Sequence, residues 1–211
     1  MTQTKTKSRR SQADRIAESD SKMIQAAVKL IASKGPRDMT LADVGALAGY
    51  SGGLVSHRFG SKSGLLVAVA DRIVDLFVSN VLPKSDVQTG SIAELFDFLA
   101  AYARQVEKQS DLLVALYRLM TQSYGALPEL QPTFERINHE LMGMVSQALK
   151  NAIETGEVRA DIDPEMEAVA FIAELRGLAL LWFVGPKPVS MKAFVAYRQD
   201  KLKHGWGCAR G

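Results

Sequence analysis

A single cysteine, Cys208, sits near the end of the chain. One thiol forms no disulfide within its own chain and no cysteine-held zinc site. That economy fits a reducing, cytoplasmic setting. Histidine is nearly as scarce. His57, His139 and His204 are the whole set, with no metal-ligand spacing among them. No metal and no cofactor is expected. The chain also lacks sustained apolar/polar alternation, so strands are not expected. Its most apolar stretch, residues 168–184, is short for a membrane span and carries Glu174 and Arg176 at its middle. The N-terminus is polar and has no apolar core of a secretion signal.

Catalytic signatures fail on context. Gly49-x-Ser51-x-Gly53 has the spacing of an esterase nucleophile elbow, but a helix precedes it where a strand is required. Gly60-Ser61-Lys62-Ser63 lacks the glycines of a phosphate-binding loop. Ser19-x-x-Lys22 is an isolated pair at a helix start. An enzyme is not expected.

What the 211 residues do contain is 47% apolar side chains, enough for a real core in one large or two small domains. The net charge of +3 is modest but unevenly placed. Residues 1–62 hold eleven Lys and Arg against five Asp and Glu, a net +6, while the remainder holds fifteen against eighteen, a net −3. A basic N-terminal part on a mildly acidic scaffold is the charge distribution of a polyanion-binding module. Residues 1–17, opening with MTQTKTKSRRSQ, are expected to form a flexible basic arm.

The residues after that arm read as helix after helix, about nine in all. Apolar spacing predicts a first helix over 18–34, with Met23, Ala27, Leu30 and Ile31 inward and Gly35-Pro36 as its stop. Further helices are predicted over 62–81, 91–109, 111–123, 129–155, 164–184 and 189–203. Asp163 caps the 164–184 helix with Pro164 at its first position.

The densest information lies between Thr40 and Leu66. Thr40 and Asp43 form a capping box, and Leu41, Val44, Leu47 and Ala48 fall on one helical side. Gly49 closes that helix and Ser51 caps the next. Val55 and Phe59 share the inward face of this second helix, which leaves Gly52, Leu54, His57 and Arg58 outward. Gly60 breaks it, and Ser61 opens a longer helix with Lys62 in its first turn. Two short helices around a glycine turn are a helix-turn-helix, a device for placing a helix in the major groove of DNA.

The chain here resembles the TetR/AcrR family of bacterial transcriptional regulators. The resemblance rests on Ala26-Ala27, Gly35, the Leu41–Gly49 helix, Ser51, Gly53, His57, Phe59, Lys62 and Leu65-Leu66. The run Ser56-His57-x-Phe59-Gly60-x-Lys62-x-Gly64-Leu65-Leu66 looks most like the betaine-regulator branch. It implies a DNA-binding domain over 18–78 and a helical effector-binding and dimerisation domain over 79–211. Two departures stand out. Ser56 occupies the place of a usual phosphate-gripping tyrosine, and Asp20 that of a usual basic residue.

On this reading the partner is double-stranded DNA carrying a palindromic operator, met by a homodimer. Thr40, Ser56, His57, Arg58 and Lys62 are phosphate candidates. Ser51 and Leu54 are candidates for base contacts, Gly52 and Gly53 admit close backbone approach, and Leu41 is a further DNA-binding candidate. The resemblance further implies a pocket for an unknown small-molecule effector. Candidates for its lining are Tyr102, Tyr117, Met120, Tyr124, Phe134, Asn138, His139, Met142 and Trp182, although most of these also suit a plain core. The 164–184 helix is apolar on nearly every side and so needs covering on every side. Leu175, Leu178, Leu181, Trp182, Phe194 and Tyr197 are therefore expected at a dimer seam. The expected function is a repressor released by its effector. A helical adaptor of the same fold without specific DNA binding is the rival reading.

Overall fold

A computed structural model describes residues 11–81, 91–185 and 189–207, without the side chains of 77–81. Among the described residues there are nine α-helices and no strand: α1 (Gln12–Lys34), α2 (Leu41–Ala48), α3 (Gly52–Phe59), α4 (Lys62–Val81), α5 (Ile92–Lys108), α6 (Asp111–Ser123), α7 (Gln131–Glu154), α8 (Pro164–Val184) and α9 (Met191–Trp206). A short 3₁₀ turn, Pro128–Leu130, leads into α7.

The first helix starts at Gln12, six residues earlier than the apolar spacing predicts. Ser11 begins it. Its hydroxyl accepts from the Asp14 amide at 3.1 Å, and the Asp14 carboxylate accepts from the Ser11 amide at 3.0 Å. Residues 12–17 are exposed, so burial left no periodic trace, and the cap alone marks the start. The expected arm is thus helical from Gln12, and its first ten residues lie outside the described residues.

The helices α1–α3 pack with the start of α4 around Met23, Ala27, Ile31, Val44, Val55, Leu65 and Val69, all buried. Two glycines set the spacing of α2 and α3. A Cβ on Gly45 would stand 2.7 Å from the Gly52 amide nitrogen, and one on Gly52 would stand 2.9 Å from the Ala42 Cα. The two helices therefore touch backbone to backbone. Gly49, at φ +80°, turns the chain between them. Leu47 departs from expectation, being 54% exposed. The inward stripe of α2 is Leu41, Val44, Gly45 and Ala48, and Leu47 lies roughly 110° from its centre.

The remaining helices form the larger part of the core. Arg118 of α6 reaches down to the first helix and donates to the Ile31 carbonyl at 3.0 Å, an oxygen near the end of α1 that also accepts from the Gly35 amide. The last helix runs past its expected end at 203 to bury Trp206. That ring stacks on Phe96 with centroids 6.2 Å apart and donates to Glu167 at 3.0 Å.

Candidate nucleic-acid interface and effector cavity

The second helix of the helix-turn-helix, α3, buries Val55 and half-buries Phe59. Its other side faces outward, because an eight-residue helix has only one face to give its neighbours. Ser51, Gly53, Leu54 and His57 are exposed, as is Thr40 at the start of α2, while Leu41 is half-buried. The Ser51 hydroxyl caps α3, accepting from the Leu54 amide at 3.1 Å. Lys62 is the first residue of α4, and its ammonium donates to the Arg37 carbonyl at 2.5 Å. It stands where helix N–H groups already favour an anion. Asp43 closes the Thr40 box and takes the Lys34 ammonium at 2.7 Å. That ammonium, with the Thr40 hydroxyl and amide, lowers the Asp43 carboxyl to about 2.

Three of the DNA-contact candidates are placed away from the exposed side. Gly52 faces Ala42 of α2 rather than solvent, so its smallness serves helix packing. Ser56 is half-buried and turns its hydroxyl 3.4 Å from the Gly60 carbonyl. Arg58 lies back across α1, where its guanidinium forks onto Asp20, Nε to Oδ1 at 2.8 Å and Nη2 to Oδ2 at 2.5 Å. Asp20 raises the Arg58 pKa further above its ordinary value, chiefly by accepting these bonds. The acidic residue that departs from the family pattern is therefore neutralised by a residue read as a DNA contact.

Near the start of α1, Gln12, Arg15, Ile16 and Ser19 form an open cleft with Tyr50 and Leu54. The early start of α1 thus places Arg15 beside the exposed end of α3. Helix periodicity did not reveal this neighbour.

A second exposed surface lies on α8. Met166, Val169, Leu180, Leu181 and Val184 are exposed, as is Tyr197 of α9, with Phe194 half-buried. Of the residues expected at a seam, Leu181 and Tyr197 are on this surface. Leu175, Leu178 and Trp182 are not: each is at most 6% exposed and faces its own subunit. A helix apolar all round divides its sides, and the sequence does not say which side is whose.

Between α5, α6, α7 and α8 lies an apolar cavity of ≈ 10 Å³, lined by Phe98, Tyr102, Leu116, Ile137, Leu141, Ile172, Leu175 and Arg176, with Val74 of α4. Of the expected lining, Tyr102 is on its wall and Tyr117 hydrogen-bonds the Tyr102 hydroxyl. Burial pushes both phenols above their ordinary pKa, so both stay protonated. Arg176 donates to Asn138 at 2.7 Å and lies 5.9 Å from the Tyr117 ring centroid. Met120, Phe134 and Trp182 are buried and Met142 half-buried, but none lines the cavity. Tyr124, 85% exposed, and His139, also exposed, point away from it. His139 stands on the solvent side of α7, and Tyr124 is the residue just past the end of α6. The main omission is Arg176. Its only sequence signal was that, with Glu174, it interrupts an otherwise apolar helical stretch. On the far side of Tyr117, an open cleft of ≈ 490 Å³ runs past Ala32, Arg118 and Phe183.

Among the described residues no helix is long and apolar enough to cross a membrane. Residues 23–69 match the tetR family of bacterial regulatory proteins, and residues 91–204 match the C-terminal domain of BetI-type transcriptional repressors. The chain is 26% identical to the transcriptional regulator TtgR of Pseudomonas putida over 198 residues, covering 82% of this chain and 84% of TtgR. Its fold is similar to that of a protein from Saccharomonospora viridis, described as a transcriptional regulator and solved with choline. There the TM-score is 0.76 at 19% identity, over 92% of this chain and 100% of that one. It is similar also to NalD, the secondary repressor of the MexAB-OprM multidrug efflux pump in Pseudomonas aeruginosa. That match has a TM-score of 0.70 at 16% identity, over 90% of this chain and 95% of NalD. With a helix-turn-helix whose reading side is bare and a helical domain matched over more than half the chain, this protein belongs to the TetR family of bacterial transcriptional regulators and carries a C-terminal domain of the BetI type.

Proposed function

We propose that the protein is a cytoplasmic, effector-responsive repressor that binds a palindromic operator as a homodimer. The observation that carries this reading is the bare face of α3, with Ser51, Gly53, Leu54 and His57 exposed beside Lys62. A dimer through the exposed stripe of α8 and α9 presents two such faces related by a twofold axis, which suits a palindrome. Lys62, His57 and Thr40 position the duplex through phosphates. Ser51 and Leu54 meet base edges. Because Arg58 is held by Asp20, direct base reading is sparse, and much of the affinity is electrostatic.

The effector reading is supported by the cavity among α5–α8 and by its connection to the DNA-binding part. Tyr117 bonds Tyr102 on the cavity wall, and the next residue, Arg118, holds the end of α1. An effector that favours a different setting of α6 favours a different setting of the reading helices, and DNA affinity falls. The choline in the Saccharomonospora viridis regulator is a precedent for a small molecule on this fold.

A gel shift with the DNA flanking its own gene tests the function. The expected result is a specific, salt-sensitive shift that weakens strongly in Lys62→Ala and His57→Ala. Equal competition by random duplex overturns it in favour of the adaptor reading.

A further inference from the structure

We infer that the effector is a small organic anion, a carboxylate on an apolar body, held by Arg176 and the Tyr102–Tyr117 hydroxyls. The inference rests on the reading of the α5–α8 cavity as the effector site and adds the ligand's charge. The walls are apolar except at one end, where a guanidinium and a phenol stand together. Among the described residues Arg176 has no carboxylate partner. Its contacts are the neutral Asn138 oxygen and the Tyr117 side chain. The acid nearest in sequence, Glu174, is taken by Arg198, whose Nη2 donates to it at 2.6 Å.

A positive charge among neutral groups at the edge of an apolar cavity favours an anionic occupant, because low local polarity strengthens the pair. Arginine and carboxylate also match in shape, two N–H bonds to two oxygens. One phenol of the Tyr102–Tyr117 pair donates to the other, which leaves one O–H to offer an occupant, kept protonated by burial. The same wall repels a quaternary ammonium, so choline is a poor ligand here. The cavity has room for about one water, so any larger occupant binds only a form in which these helices stand further apart.

The test uses the full-length protein and its operator fragment. Calorimetry and operator release are measured with acetate, butyrate, hexanoate, octanoate and benzoate, each against its amide, and with choline. The expected result is that at least one carboxylate binds and releases DNA at least about tenfold better than its amide, as a charge-assisted pair requires. In Arg176→Gln that preference is lost while operator affinity without ligand is kept. Tyr102→Phe, which keeps the ring, weakens the carboxylate more than the amide. If Arg176→Gln does not fold, Arg176→Lys replaces it and is expected to reduce the preference by removing the fork. The inference is overturned if amides or choline act as well as the carboxylates, or if no carboxylate binds. It is equally overturned if the preference survives loss of the Arg176 guanidinium, or is lost in Arg118→Gln instead, which places the anion in the open cleft. A specific gel shift that no carboxylate alters sinks this inference alone. Absence of any specific shift sinks the repressor reading, and calorimetry still reports on the anion.

Discussion

Arg58 of α3 and Asp20 of α1, thirty-eight residues apart in the chain, meet as a two-bond fork with both side chains 27% exposed. The pair ties the reading helix to the first helix and withdraws a cation from the DNA-facing side.

Replacing Asp20 by Asn removes that hold. Arg58 is then free to reach a phosphate, and a negative charge leaves the basic face. The expected outcome is a lower melting temperature together with stronger, less selective DNA binding. The logarithmic salt dependence should steepen by about one phosphate contact. Anisotropy titrations at several salt concentrations check it. An unchanged slope means that Arg58 does not reach DNA when released.

Gly45 is a helix-interior glycine that helix propensity alone would replace with alanine. Contact with Gly52 and Ser51 reverses the sign, since the added Cβ meets backbone, which cannot swing aside. Gly45→Ala is expected to cost about 1–3 kcal/mol in urea unfolding and to shift α3 out of register with DNA. Gly143 of α7 provides the contrast. A Cβ there meets nothing within 4 Å, so Gly143→Ala is expected to stabilise by about 0.5–1 kcal/mol.

Leu181 is 68% exposed on a helix whose other sides are buried. If α8 forms the seam, Leu181→Glu places a charge in an apolar interface. The expected result is at least about a tenfold rise in the dimer dissociation constant, read by sedimentation, with parallel loss of operator binding. A monomeric unsubstituted protein, or a dimer indifferent to this change, removes the twofold axis from the proposed function.

Asp43 adds a pH dependence of known sign. Its carboxyl titrates at about 2 in the folded protein against an ordinary 3.8, so the unfolded chain binds the proton more tightly. The stabilisation is present in full above the ordinary value and is lost as pH falls from there through about 2. Asp43→Asn should lower the melting temperature at neutral pH and flatten its fall in this acid window. Thermal melts of both proteins from neutral to acid pH decide it.

The helix-turn-helix was legible because its signals are local. Thr40 with Asp43, Gly49, and Ser51 are caps and a turn, and each acts within four residues of itself. The long helices were legible for the same reason, through apolar spacing and proline stops. Other features depended on distant partners. No periodicity brings Asp20 to Arg58, Arg118 to Ile31, or the Gly45 Cα against α3. The apolar face of α8 showed that a cover was needed. Only packing assigned Leu175, Leu178 and Trp182 to the chain's own core and left Leu181 outside. Arg176 illustrates the same division. In the sequence it is a charge interrupting an apolar run, and in the fold it stands at a cavity wall beside two tyrosines from other helices.

The sequence by itself determined the helices, most of their ends and the helix-turn-helix, because hydrogen bonding and burial period are properties of neighbouring residues. The tertiary structure alone decided which cations are left exposed beside α3, which apolar side of α8 is left uncovered, and where a half-buried positive charge meets hydroxyls. Those outcomes depend on helix-to-helix distances, which no short stretch of chain encodes.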